Sequence, residues 1–168
     1  MKLAYHTITW GGVVGHPAGV RSVQDMYYLA TGSTEDALRD VSEAGYQGFE
    51  LFDGNLVQYA DRENELRELT ESLGLQLVGV YSGANFIYPE ILDDELSRIE
   101  TAAKLAARFE AEHLVVGGGA VRASGIRDED YRLLGEGLER VISIVGEAGL
   151  VASYHPHLGT CVESPEQL

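Results

Sequence analysis

The residues best suited to chemistry lie in residues 151–160, VASYHPHLGT, of this 168-residue chain. A short apolar segment delivers two histidines, His155 and His157, two positions apart. On a β-strand that spacing sets both imidazoles on one face. Imidazole ligates metals and titrates near neutral pH, so the pair suits metal binding or proton transfer. The alternative is two surface histidines decorating a loop around Pro156. Which holds depends on the elements that carry them.

Those elements alternate. Residues 3–10 (LAYHTITW) are rich in β-branched and aromatic types and predict a strand. Thr34 reads as the N-cap of a helix with Ala37, Leu38, Val41 and Ala44 at helical spacing, closed by Gly45. A second strand follows over 48–53 (GFELFD), a helix over 61–73 and a third strand over 75–82. A helix over 93–109 buries Leu96, Ile99, Ala103 and Ala106, and leads to a fourth strand over 113–116. A helix over 130–148 buries Leu134, Leu138, Val141 and Val145 before the fifth strand, 151–154. Strand–helix alternation of this kind makes right-handed βαβ units and a parallel sheet.

Two architectures accept that order within a single domain, 1–168. A doubly wound sheet of the flavodoxin type is complete with five strands, in spatial order 2-1-3-4-5. A (β/α)8 barrel needs about 250 residues and keeps its strands in chain order, so this chain would supply a part truncated after the fifth strand, with four helices. Open sheets covered on both faces favour continuous apolar strands. Here polar groups recur on one face: His6 and Trp10 on the first strand, Glu50 on the second, His155 and His157 on the fifth. That pattern favours a barrel interior opening at the C-terminal strand ends, where His6, Glu50, His155 and His157 are expected to converge. Ser164-Pro165-Glu166 reads as the start of another helix, in whose first turn the sequence stops.

Composition narrows the function classes. Twenty-seven acidic against twelve basic residues give a net charge of −15, which disfavours nucleic acid and anionic membranes as partners. No apolar run reaches the ~18 residues of a membrane span. Cys161 is the single cysteine, so no disulfide framework exists within the chain, and a cytoplasmic setting is expected.

The opening YHTITWGG, the second strand GYQGFELFD and the fifth strand YHPHLGT resemble the xylose isomerase-like TIM barrels, and YHPHLGT most resembles their inosose dehydratase branch. The resemblance covers all 168 residues, but only about five of the eight barrel units. It implies an enzyme of carbohydrate metabolism: a metal-dependent isomerase, epimerase or dehydratase of sugars, sugar phosphates or inososes. The chemistry implied is proton transfer beside a carbonyl.

The family's fifth strand commonly ends in a metal-binding Glu, one residue, then a substrate-facing His. Laid on this sequence, His155 takes the metal position and His157 the substrate position. A histidine can ligate a divalent metal (Mn, Co, Zn or Mg) but brings no negative charge. The other ligands are expected from later strands, so this piece alone is expected to hold the metal weakly and to be inactive. Glu50 matches a recurrent pocket Glu, catalytic or a satisfied interior carboxylate. His6 is assigned to substrate contact or to a buried, hydrogen-bonded role. Trp10 is assigned to the pocket wall, where a flat ring suits a sugar face.

Residues 11–33 make a first connection longer than the ~12–15 residues of ordinary loops, and Val23, Met26, Tyr27 and Ala30 suggest a lid with a short helix. Gly117-Gly118-Gly119 suits either a phosphate cradle or a sharp turn. If the chain is a piece of a barrel, its open sheet edges invite self-association, including homo-oligomers. The competing class is a complete flavodoxin-like, non-catalytic binding module.

Overall fold

The computed structural model describes residues 2–11, 13–14 and 27–168. The chain enters through β1 (Ala4–His6), a 3-10 turn (Thr7–Thr9) and a small antiparallel ribbon of β2 (Val13–Val14) and β3 (Leu29–Ala30). Next come α1 (Thr34–Glu43), β4 (Gly48–Phe52), α2 (Asp53–Val57), α3 (Glu63–Leu73) and β5 (Gln76–Ala84). It continues through α4 (Pro89–Arg108), β6 (His113–Gly118), α5 (Asp128–Glu147) and β7 (Val151–His155) to a last 3-10 turn (Pro165–Gln167).

The main sheet is parallel throughout, in the order β1-β4-β5-β6-β7. No strand crosses over another. That is the barrel order, five strands of a partial (β/α)8 barrel, and it overturns the flavodoxin-like binding module, whose first two strands would have to exchange places.

Local chemistry explains where elements start and stop. The strand expected over 3–10 ends at His6, because the His6 ring accepts the Ile8 N–H (3.0 Å) and turns the chain into the 3-10 segment. Ser33, not Thr34, caps α1, its hydroxyl accepting the Asp36 N–H (3.1 Å). Helix α4 begins four residues earlier than expected, with Pro89 in the first turn, where a missing N–H costs nothing. The short α2 is an addition to the four expected helices. Of the residues expected on a helical stripe, Tyr27 lies in irregular chain and Ala30 in β3, while Val23 and Met26 fall outside the described residues.

The core sits between sheet and helices. Phe49 and Leu51 of β4, Val80 of β5 and Leu114 of β6 are fully buried against Leu38, Leu66, Leu96 and Ile99 of the helices. Because side chains alternate along a strand, the residues between them, Glu50, Phe52, Tyr81 and Val115, are presented to the other face. There a cavity of about 660 Å³ opens.

Candidate active site

Register brings the first pair together. Strands β1 and β4 pair with His6 directly beside Glu50. His6 Nε2 donates to Glu50 Oε1 at 3.0 Å, while His6 Nδ1 accepts the Ile8 N–H. The two bonds fix one tautomer: the proton sits on Nε2. Burial pushes the His6 pKa down to about 4 and the Glu50 carboxyl up from its ordinary value. At neutral pH His6 is therefore a neutral imidazole whose Nε2–H donates to Glu50, and the two do not form an ion pair.

A bulge then makes room for the carboxylate. Between Phe49 and Glu50 the β4–β5 register slips by one, so Glu50 opposes Gly79 in place of Val78. A Cβ at Gly79 would stand 3.2 Å from Glu50 Oε2. The missing side chain lets Glu50 lie flat against β5 and face the cavity.

Aromatic rings line the rest. His6 packs on Phe52 (4.7 Å between centroids), Phe52 on Tyr28 (5.7 Å) and Tyr81 (5.6 Å), and Tyr81 on His155 (5.8 Å). His155 meets His157 at 5.7 Å. These rings form a continuous wall from β1 to β7. The Tyr81 phenol lies over Gly117, where a Cβ would come within 1.8 Å of its oxygen, and burial pushes its pKa up to about 12.

His6, Glu50, His155 and His157 all line this one cavity, together with Ile8, Thr160 and the aromatic residues. Trp10 does not. The 3-10 turn breaks the strand alternation after His6, so the indole points elsewhere: Nε1 donates to Asp40 Oδ2 (2.7 Å), and the ring packs edge-on to Tyr5. Its wall position belongs to Phe52, Tyr28 and Tyr81. His6 likewise differs from a direct ligand contact, since both its nitrogens bond within the protein. The glycine run ends a strand: Gly117 and Gly118 are the last residues of β6, paired with Gly83 and Ala84, and Gly119 N–H donates to Ala84 O (3.1 Å), so that amide is not free to cradle an anion.

Sequence reasoning missed a buried polar layer beneath the wall. Asp53, fully buried, accepts from Ser82 Oγ (2.6 Å), Tyr28 N–H (2.8 Å) and Gly54 N–H (2.8 Å), with Arg98 Nη1 3.7 Å away. Its burial raises the pKa to about 6 despite those partners. A second carboxylate closing the otherwise apolar GFELFD, after Glu50, was the available signal.

Among the described residues no group of three or more His, Cys, Asp and Glu side chains is placed to hold an ion. His155 faces the cavity, exposed, with ring contacts and no hydrogen bond to the described residues; His157 Nδ1 lies 2.8 Å from Leu158 O.

With that geometry in place, similarity to known proteins is informative. Residues 38–168 match the family model of the xylose isomerase-like TIM barrel. The chain belongs to this family. The rhizopine catabolism protein MocC of Rhizobium meliloti is 27% identical over 146 residues, covering 80% of this chain and 43% of that protein. The probable 3-DHS dehydratase AsbF of Bacillus anthracis superposes with a TM-score of 0.72 at 14% identity, covering 99% of this chain and 56% of the other. D-psicose 3-epimerase of Clostridium cellulolyticum H10, solved with D-tagatose, superposes at 0.59 and 18% identity, covering 72% and 46%. The chain thus spans about half the length of these three proteins. Among its described residues no helix is long and apolar enough to cross a membrane.

Proposed function

We propose that this chain supplies one side of the active site of a metal-dependent carbohydrate isomerase, epimerase or dehydratase, cytoplasmic in location, acting by proton transfer beside a carbonyl. The inosose dehydratase branch and sugar phosphates stay within that class. The observation that carries the proposal is the Glu50–His6 pair, facing His155 and His157 across an aromatic-walled cavity at the strand ends.

Glu50 is the proton-transfer group. Its raised pKa brings a carboxylate closer to the neutral range in which it both takes and returns a proton. His6, held neutral, orients one carboxylate oxygen and leaves the other toward the cavity. Phe52, Tyr28 and Tyr81 offer flat faces for the C–H surface of a sugar. His157 bonds the substrate, and His155 contributes one metal ligand, the others coming from polypeptide that continues the barrel. A divalent metal held there would supply positive charge to two neighbouring substrate oxygens.

Proton transfer leaves a direct trace. In D2O with Mn2+, the full coding product that carries this segment should place deuterium on the carbon beside the carbonyl of D-tagatose or D-fructose. Glu50→Gln should slow incorporation by about 100-fold or more. Unchanged incorporation in that variant removes Glu50 from the mechanism. Absence of incorporation across a panel of ketoses and inososes sinks the proposal.

A further inference from the structure

Of the tyrosine and phenylalanine rings in the wall, one is carried by no strand of the main sheet. Tyr28 lies just ahead of β3, on a strap of residues 27–30, yet its ring sits in the cavity between Phe52 and Tyr81. Something outside the sheet ladder must hold it there.

The turn at the start of α2 does so. Tyr28 N–H donates to Asp53 Oδ1, and Gly54 N–H donates to Tyr28 O (2.9 Å). Two residues on, Ala30 N–H donates to Asn55 Oδ1 (2.9 Å), and Asn55 Nδ2 donates to Ala30 O (3.0 Å). Asp53, Gly54 and Asn55 thus present donors and acceptors to the strap as a neighbouring strand would, with two side chains standing in for backbone. All three are buried. The approach is close: a Cβ on Gly54 would lie 2.4 Å from Tyr28 O and 3.0 Å from Tyr27 Cβ. On the other side, a Cβ on Gly83 would lie 3.1 Å from the Tyr28 ring. The Arg98 guanidinium, 3.7 Å from Asp53, stacks over Tyr27 at 5.6 Å. Strap, turn and ring are fitted to one another.

We propose that Asp53-Gly54-Asn55 is a dock that positions Tyr28 as the ligand-facing wall of the cavity, so that Asp53 and Asn55 set ligand affinity and selectivity through Tyr28 without touching the ligand. The ligand class, a carbohydrate, rests on the function proposed above; the dock itself does not. Asp53 and Asn55 are positioning residues. Residues 29–30 pair only with the two-residue β2, and no part of the strap joins the main sheet; four hydrogen bonds to the α2 turn take the place of that pairing and leave the Tyr28 ring free to be the contact surface. A ligand that needs that wall shifted by an ångström loses its stacking.

Two measurements test this separately. Amide exchange reads the dock: Asn55→Leu should speed exchange at Tyr28 and Ala30 by roughly 10- to 100-fold while the amides of β4 to β6 stay protected. Gly54→Ala, which removes no hydrogen-bonding group, should do the same. Exchange at residues 28–30 unchanged in both variants overturns the dock. Ring resonances of Tyr28, Phe52 and Tyr81 read the ligand, with D-tagatose and D-fructose as probes. Asn55→Leu and Tyr28→Ala should each weaken binding about tenfold. The double variant should bind no more weakly than Tyr28→Ala alone, because Asn55 acts only through that ring. Additive losses overturn the positioning role. If neither sugar shifts any ring in the parent protein, the carbohydrate proposal falls, and the exchange data still decide the dock.

Discussion

The two flanks of the cavity are built differently, although each carries a histidine on an outer strand of the same sheet. On the β1 side the histidine and the buried polar groups are held within the protein. His6 has both nitrogens bonded, Glu50 has its donor, and Asp53 and Asn55 beneath them are almost wholly buried. On the β7 side Val151 is 57% exposed, and His155 and His157 lie exposed at the strand's end. Among the described residues His155 makes only ring contacts. One flank is therefore preorganised: tautomer, charge and orientation are set before any ligand arrives. The other is aimed by its backbone alone and stays free to turn toward an ion or a substrate. Proton transfer needs the first condition. Recruiting a ligand whose remaining contacts lie elsewhere suits the second.

The comparison breaks most visibly at Asp53. Removing this carboxylate takes a charged neighbour away from buried Arg98 and leaves Ser82 and the Tyr28 amide without their acceptor. Asp53→Ala should cost about 3–5 kcal/mol in denaturant unfolding. A loss below about 1 kcal/mol would mean that the buried layer does not hold the β1 flank together.

Next in size is the seam between the flanks, where Tyr81 crosses Gly117. Gly117→Ala places a methyl on the phenol oxygen and should cost about 1–3 kcal/mol, with a changed near-ultraviolet signal from the displaced ring. Gly135→Ala in α5 is the control. Nothing lies within 4 Å of that position, and the substitution should stabilise by about 0.5–1 kcal/mol. Equal effects at the two glycines would deny Tyr81 its fixed place.

Much of this arrangement was legible in the residues, and what was not has a physical reason. Alternation put Glu50 and Phe52 on one face of β4, and two-residue spacing put His155 and His157 together, because both patterns lie within regular strand or at its immediate end. Trp10 failed by the same rule. Alternation is a property of extended backbone, and His6 ends the extension by capping the Ile8 amide with its own ring. The partnership of His6 with Glu50 needed the strand order, and the room for Glu50 needed a one-residue register slip that no local pattern encodes. Tyr28 was hidden further still. Its place depends on side chains of Asp53 and Asn55, 25 or more positions away, imitating a strand.

A pH titration sharpens the contrast in electrostatic terms. The His6 pKa is lowered from 6.5 to about 4, so between those values the unfolded chain binds a proton that the native state refuses. That costs the parent stability progressively as pH falls from about 6.5 to about 4. Asp53, raised to about 6, acts in the opposite sense: its native state takes up a proton first, adding stability as pH falls through that value. The parent's profile mixes the two. His6→Gln keeps a donor for Glu50 and removes the titrating imidazole, so its stability relative to the parent should improve as pH drops from 6.5 toward 4. A difference that does not change with pH would show that His6 is not held neutral by its surroundings.

The smallest effect on folding is expected on the open flank, and there the interest lies in what else changes. His155 and His157 are exposed, so replacing either by Ala should alter unfolding stability by no more than about 0.5 kcal/mol. Ion binding should separate them. His155 carries no hydrogen bond to the described residues and faces the cavity, whereas His157 has one ring nitrogen beside its neighbour's carbonyl at 2.8 Å. In a titration with Mn2+, Co2+ or Zn2+ on the full coding product, His155→Ala should lose affinity by about tenfold or more, as loss of one ligand does. His157→Ala should retain the ion and weaken the response to D-tagatose. Equal ion affinity in His155→Ala and the parent would remove the ligand role. A large loss of stability in either variant would show that the β7 flank is as tightly built as the β1 flank, and the contrast between the two would be gone.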